Sequence, residues 1–156
     1  MTVEIGEPAP PFSAQASNGK TVELTDFSGK WLILYFYPRD ETPGCTREAC
    51  SFRDSFGRIE SLGATVIGCS PDDLKAHDKF IAHHDLPFLL ISDSDHSIST
   101  AYGVWKEKNM YGRKIMGIER STFLIDPKGN VARIWRKVKV EAHVDDIMDE
   151  LKASIA

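Results

Sequence analysis

WLILYFYPRDETPGCTREACSFRDSFGRIESLG, residues 31–63, reads as a strand, a tight loop and a helix in succession. Trp31 to Tyr37 is apolar and aromatic without a break, which suits a central strand covered on both faces. Cys45, Ala49, Phe52, Phe56 and Ile59 then recur at spacings of four and three, one stripe of a helix that stops near Gly63.

Outward from this unit the same alternation continues. VIGC at 66–69, FLLIS at 88–92 and STFLID at 121–126 are further apolar runs, and VARIW at 131–135 follows the turn Pro127-Lys128-Gly129-Asn130, which predicts a hairpin. Ser70-Pro71-Asp72-Asp73 reads as an N-cap, a proline at the first helical position and acids in the first turn, opening a helix to about His84. Ile98 to Tyr102 predicts a shorter helix, and Val144, Ile147, Met148, Leu151 and Ile155 line one face of a C-terminal one. Upstream, Pro8, Pro10 and Pro11 precede FSAQ, Ser17-Asn18-Gly19-Lys20 marks a hairpin turn before TVEL, and Asp26 to Lys30 is another turn. The expected architecture is α/β: a three-layer sandwich with a central mixed β-sheet flanked by helices and an N-terminal β-hairpin, one domain over residues 1–156.

Composition bounds the function. Of 156 residues, 42% are hydrophobic and 27% charged, with a formal net charge of -4, which gives no general attraction for nucleic acid or an anionic membrane. No apolar run approaches the roughly 20 residues of a spanning helix. The opening MTVEIGEPAPPF carries neither the basic nor the apolar region of a signal peptide. Three cysteines are too few for a secreted disulfide scaffold and their number is odd, which makes a reducing cytoplasm the expected compartment.

Two of those three cysteines, Cys45 and Cys50, stand in the strand–loop–helix unit. Cys45 falls at the first turn of the helix, behind Pro38-x-x-x-Thr42-x-x-Cys45. Free backbone N–H groups and the positive end of the helix dipole favour a thiolate at such a position. Thr42 can cap the helix or donate its hydroxyl to the sulfur or a substrate oxygen, and the Pro38 ring can shield one side from water. Position alone leaves Cys45 open between a reactive thiol and a small hydrophobe at the top of a core stripe.

Cys50 adds a constraint. Residues five apart in a continuous helix are separated by about 7.5 Å along the axis and about 140° around it, which places their Cα atoms roughly 8.6 Å apart. A disulfide needs about 7 Å or less. The pair cannot bond while the helix is intact, yet makes an easy loop once its first turns unwind. That suits a redox cycle better than a permanent staple. A four-ligand zinc site is not in prospect, because Cys69 and the five histidines supply no knuckle-like second pair, and a dithiol exchange enzyme of the usual kind would show Cys-x-x-Cys, which is absent. Cys69, at the end of a β-run, reads as buried and structural. His83 and His84 read as solvent-facing or cap residues late in a helix, and Asp93, Asp95 and His96 as an acidic turn with a cap.

These motifs resemble the peroxiredoxins, and most closely the bacterioferritin comigratory protein or peroxiredoxin Q subgroup. The resemblance rests on the Pro38–Thr42–Cys45 loop, on Cys50 five positions on in TPGCTREAC, on Arg120 in GIERSTFLIDPKG and on Glu48 at an acidic helix position. It extends along essentially the whole chain, from EIGEPAPPF through DFSGK to the last helix. It implies a thioredoxin-like fold and a thiol peroxidase without metal or organic cofactor. Cys45 would attack the peroxide, while Thr42, Arg120 and backbone N–H groups near Gly44 and Cys45 hold its oxygens. Cys50 would resolve the sulfenic acid as an intramolecular disulfide, and a thioredoxin-like dithiol would reduce it, the chain working as a monomer. Competing readings are a disulfide reductase without peroxidase activity and a non-enzymatic chaperone or binding module. Titrating thiols before and after one equivalent of peroxide separates them.

Overall fold

A computed structural model describes residues 3–155. In chain order the strands are β1 (Ser13–Gln15), β2 (Thr21–Glu23), β3 (Trp31–Phe36), β4 (Ala64–Ser70), β5 (Leu89–Ser92), β6 (Trp105–Met110), β7 (Arg113–Ile118), β8 (Ser121–Ile125) and β9 (Val131–Trp135). The helices are α1 (Pro43–Ser61), α2 (Leu74–His84), α3 (Ser97–Ala101) and α4 (His143–Ile155), and a 3₁₀ turn covers Leu24–Phe27.

The main sheet has the order β5-β4-β3-β8-β9. β3, β4 and β5 run parallel, joined through α1 and α2, whereas β8 pairs antiparallel with β3, and β9 with β8. Alternation along β3 divides its apolar run between two cores. Ile33, Tyr35 and Tyr37 face the side covered by α1 and α4, against Ala49, Phe52, Ile59, Ile147 and Leu151. Leu32, Leu34 and Phe36 face the side closed by the N-terminal segment, α3 and Val104, against Phe12, Val22, Ile98 and Tyr102. A strand buried on both faces needs no polar alternation, and Leu32 to Tyr37 are fully buried. This is the thioredoxin-like three-layer arrangement with a mixed sheet and an N-terminal hairpin, β1–β2.

Two details depart from the sequence reading. Ser70 is the last residue of β4, paired with Ser92, so it cannot cap α2. Asp73 takes that role, its side chain accepting the Ala76 N–H at 2.8 Å, and Pro71 lies ahead of the helix. The β6–β7 hairpin also stands where no strands were expected, turning at Tyr111 and Gly112, both with positive φ. Among the described residues no helix is long and apolar enough to cross a membrane.

Candidate active site

β3 delivers its chain to a short loop, and α1 opens at once behind it. Thr42 is the extended N-cap residue, Pro43 occupies the first helical position where its missing N–H costs nothing, and the Thr42 carbonyl accepts the Thr46 N–H at 2.8 Å. Cys45 therefore sits in the first turn, where backbone N–H groups lack intrahelical partners, and is only 1% exposed.

The antiparallel β3–β8 register brings in the group that faces it. Phe36 pairs with Ser121, so Arg120, the preceding residue, lies beside the exit of β3. Its Nη2 donates to Cys45 Sγ at 3.4 Å and its Nη1 to Glu48 Oε1 at 2.7 Å. Gly44 makes room for this fork, since a Cβ there would stand 3.2 Å from Nη2. Burial opposes the charge on Arg120, but Glu48 and Cys45 outweigh it and hold the guanidinium above its ordinary pKa.

Glu48 is fully buried, and its Oε2 has no hydrogen-bond partner among the described residues. Burial pushes its carboxyl up to about 7 against the lowering influence of Arg120. One charged hydrogen bond does not compensate a desolvated carboxylate with an orphaned oxygen. Thr42 departs from expectation: its hydroxyl donates to the Arg39 carbonyl at 2.9 Å and caps no helix N–H. Pro38 is half-buried just past β3. Cys50 is half-buried, α1 runs unbroken through both positions, and all three cysteines are free. Cys69 is buried on β4, its thiol pushed well up by burial and by Asp93.

The loop rests on a buried network that sequence reasoning missed. Tyr37 donates to Asp40 Oδ1 at 2.5 Å, and His77 Nδ1 lies 2.7 Å from Asp40 Oδ2. His77 Nε2 is 3.0 Å from the Ile91 carbonyl, which can only accept, so that nitrogen carries a proton. Burial disfavours a charged His77, yet the Asp40 bond and charge prevail and raise its pKa. The Asp40 N–H donates in turn to Asp72. Beyond Arg120, Thr122 Oγ1 meets His143 Nε2 at 2.8 Å, and burial drives His143 down to about 4, neutral at physiological pH. His83 and His84 lie in the last turn of α2 as expected, His83 largely exposed, and both also contact Glu41. Asp93 and Asp95 do cap α3, accepting N–H groups of Ile98, Ser99 and Ser97.

Residues 5–134 match the AhpC/TSA family. The peroxiredoxin Bcp of Bacillus subtilis is 51% identical over 152 residues, 97% of each chain. Among solved structures, a Xanthomonas campestris bacterioferritin comigratory protein, described for its alkyl peroxide reduction activity, superposes with a TM-score of 0.92 at 40% identity, covering 98% of this chain and 100% of that one. A mutant PrxQ of Xylella fastidiosa gives a TM-score of 0.94 at 39% identity, covering 100% and 99%. With likeness of this extent in sequence and in fold, the chain belongs to the AhpC/TSA family, in its Bcp or peroxiredoxin Q branch, and is a thiol peroxidase that works through oxidation of a cysteine.

Proposed function

We propose that Cys45 is the peroxide-reactive thiol and Cys50 its resolving partner, and that residues 1–156 act as one monomeric peroxidase domain. The observation that carries this reading is the Arg120 fork, which bridges Cys45 Sγ and Glu48 in the first turns of a helix that also bears Cys50. Cys45 thiolate attacks the terminal oxygen of hydrogen peroxide or an organic hydroperoxide. The O–O bond breaks, Cys45 becomes sulfenic acid, and the other oxygen leaves as hydroxide or alkoxide and takes up a proton. Arg120, the Gly44 and Cys45 N–H groups, and a Thr42 hydroxyl turned away from Arg39 stabilise the oxygens. Glu48 positions Arg120, and Pro38 limits water.

The first turns of α1 then unwind, the Cys50 thiol attacks the Cys45 sulfur, a disulfide forms and water is released. A thioredoxin-like dithiol restores both thiols by exchange. Organic hydroperoxides enter the reading through the alkyl peroxide activity of the Xanthomonas relative. The test is peptide mapping after one equivalent of peroxide. Wild type is expected to lose two thiols and carry a Cys45–Cys50 bond. Cys50→Ser is expected to consume about one equivalent and stall as sulfenic or sulfinic acid, and Cys45→Ser to consume none. A dominant Cys45–Cys69 bridge would remove Cys50 from the cycle, and turnover by Cys45→Ser would overturn the whole assignment.

A further inference from the structure

Glu41 lies in the loop between β3 and α1, next to Thr42, and its backbone is in the left-handed region at φ 66 although it is not glycine. That conformation persists only where surrounding contacts hold it. Here the contacts come from the last turn of α2. His83 Nδ1 approaches Glu41 Oε2 at 2.9 Å and Oε1 at 3.2 Å, and His84 Nε2 approaches Oε1 at 2.9 Å. Consecutive helical residues ordinarily diverge by about 100°. These two rings nevertheless converge to 4.4 Å between centroids.

We propose that Glu41, His83 and His84 form a site for a divalent cation of zinc type, tying the loop ahead of Cys45 to the end of α2. The three ligand atoms lie within 4.8 Å of one another. A tetrahedral ion with bonds of about 2.0–2.1 Å needs ligand separations of about 3.3 Å, so the two N···O pairs to Oε1, at 3.2 and 2.9 Å, open by less than about half an ångström, while the two nitrogens, within 4.8 Å, settle to the same separation. Two imidazoles and a carboxylate are donors that suit zinc, and three protein ligands leave a fourth position for water. The ion sits at the C-terminal, negative end of the helix dipole. Side-chain exposures of 67% for His83, 42% for Glu41 and 20% for His84 leave a path from solvent. Binding replaces two N–H···O hydrogen bonds by two N–metal bonds, moving His83 to the Nε2–H and His84 to the Nδ1–H tautomer and expelling any proton carried at the ligating nitrogens. The buried group Asp40, Asp72 and His77 is a different case, because its ligand atoms are engaged by Tyr37, Ser70, the Asp40 N–H and the Ile91 carbonyl.

The experiment is calorimetric titration of reduced, metal-free protein with Zn²⁺, paired with Co²⁺ absorption. One ion per chain is expected, with bound Co²⁺ showing the visible bands of a nitrogen and oxygen site and no thiolate charge-transfer band, and losing them when Zn²⁺ displaces it. His83→Ala, His84→Ala and Glu41→Gln are each expected to weaken binding by at least about tenfold, or about 1.4 kcal/mol. Glu41→Gln keeps a hydrogen-bond acceptor, so a loop tether without a metal would survive it. Circular dichroism checks that each variant is folded. Three results would overturn the site: no zinc binding at about 0.1 mM, about 5.5 kcal/mol; equal affinity in the His83→Ala, His84→Ala double variant; or a Co²⁺ spectrum dominated by thiolate ligation.

Discussion

Replacing Arg120 with methionine keeps most of its volume and removes both arms of the fork. Two unit charges at the 3.4 Å separation of Nη2 and Sγ interact by about 5 kcal/mol at an effective dielectric constant of about 20. That is a ceiling, because the side chain is 18% exposed and partly screened, and because only the gain between ground and transition state counts. Loss of one well-placed oxyanion donor costs about 2.7–4 kcal/mol, which fits under the ceiling and corresponds to about 10²–10³ in rate. Arg120→Met is therefore expected to slow the second-order oxidation of Cys45 by about two to three orders of magnitude. Arg120→Lys should recover only part, since a single ammonium cannot span Cys45 and Glu48 as the planar fork does. Single-turnover stopped-flow with peroxide in excess, and trapping of the sulfenic acid for mass spectrometry, measure the step directly. A fall of less than about threefold, about 0.7 kcal/mol, in a folded variant would refute the role assigned to the guanidinium.

Gly44→Ala tests the same fork from the opposite side: its Cβ would lie 3.2 Å from Nη2, and displacement of the arginine is expected to cost about threefold to tenfold in the same assay. Glu48 makes a prediction about stability. Its folded pKa of about 7 exceeds the ordinary 4.5, so the native state binds more protons and stability falls as pH rises through that window. Denaturant unfolding should lose about 2–3 kcal/mol between about pH 5 and pH 8 from this group, and Glu48→Gln should flatten that slope. Gly68→Ala would put a Cβ 2.6 Å from Leu90 Cδ2 and 3.0 Å from the Tyr35 ring. Overpacking of this kind is expected to cost about 1–3 kcal/mol in thermal or chemical unfolding, and an unchanged midpoint would contradict the packing described.

What was legible in the sequence was what periodicity encodes. The β3 run, the α1 stripe and the β8–β9 hairpin all bury apolar faces, and burial leaves a pattern. The β6–β7 hairpin does not: Lys106, Glu107, Lys108, Arg113 and Lys114 crowd its strands, and its turn uses Tyr111-Gly112 in place of an Asn-Gly signal. The α2 cap was misplaced because Ser70 has the chemistry of a cap but is held in the β4 ladder. Within the site, Pro38, Thr42 and Cys45 are neighbours in sequence and could be read from spacing. Arg120 could be selected only through family resemblance, since 75 residues separate it from Cys45. Asp40 and His77, 37 residues apart, gave no local signal, because a buried hydrogen bond between distant positions leaves no period.

The antiparallel pairing of β3 with β8 carries a consequence for the protein during its own synthesis. Cys45 leaves the ribosome 75 residues ahead of Arg120, which at about 5–20 residues per second is a lead of about 4–15 s. Throughout that interval the nascent chain holds its thiol without the guanidinium that faces it, and the strand that delivers Arg120 cannot pair until residues up to Ile125 are free. The contact between Arg120 and Cys45 is thus one of the last features of the site to form, and it forms only once the β3–β8 ladder closes.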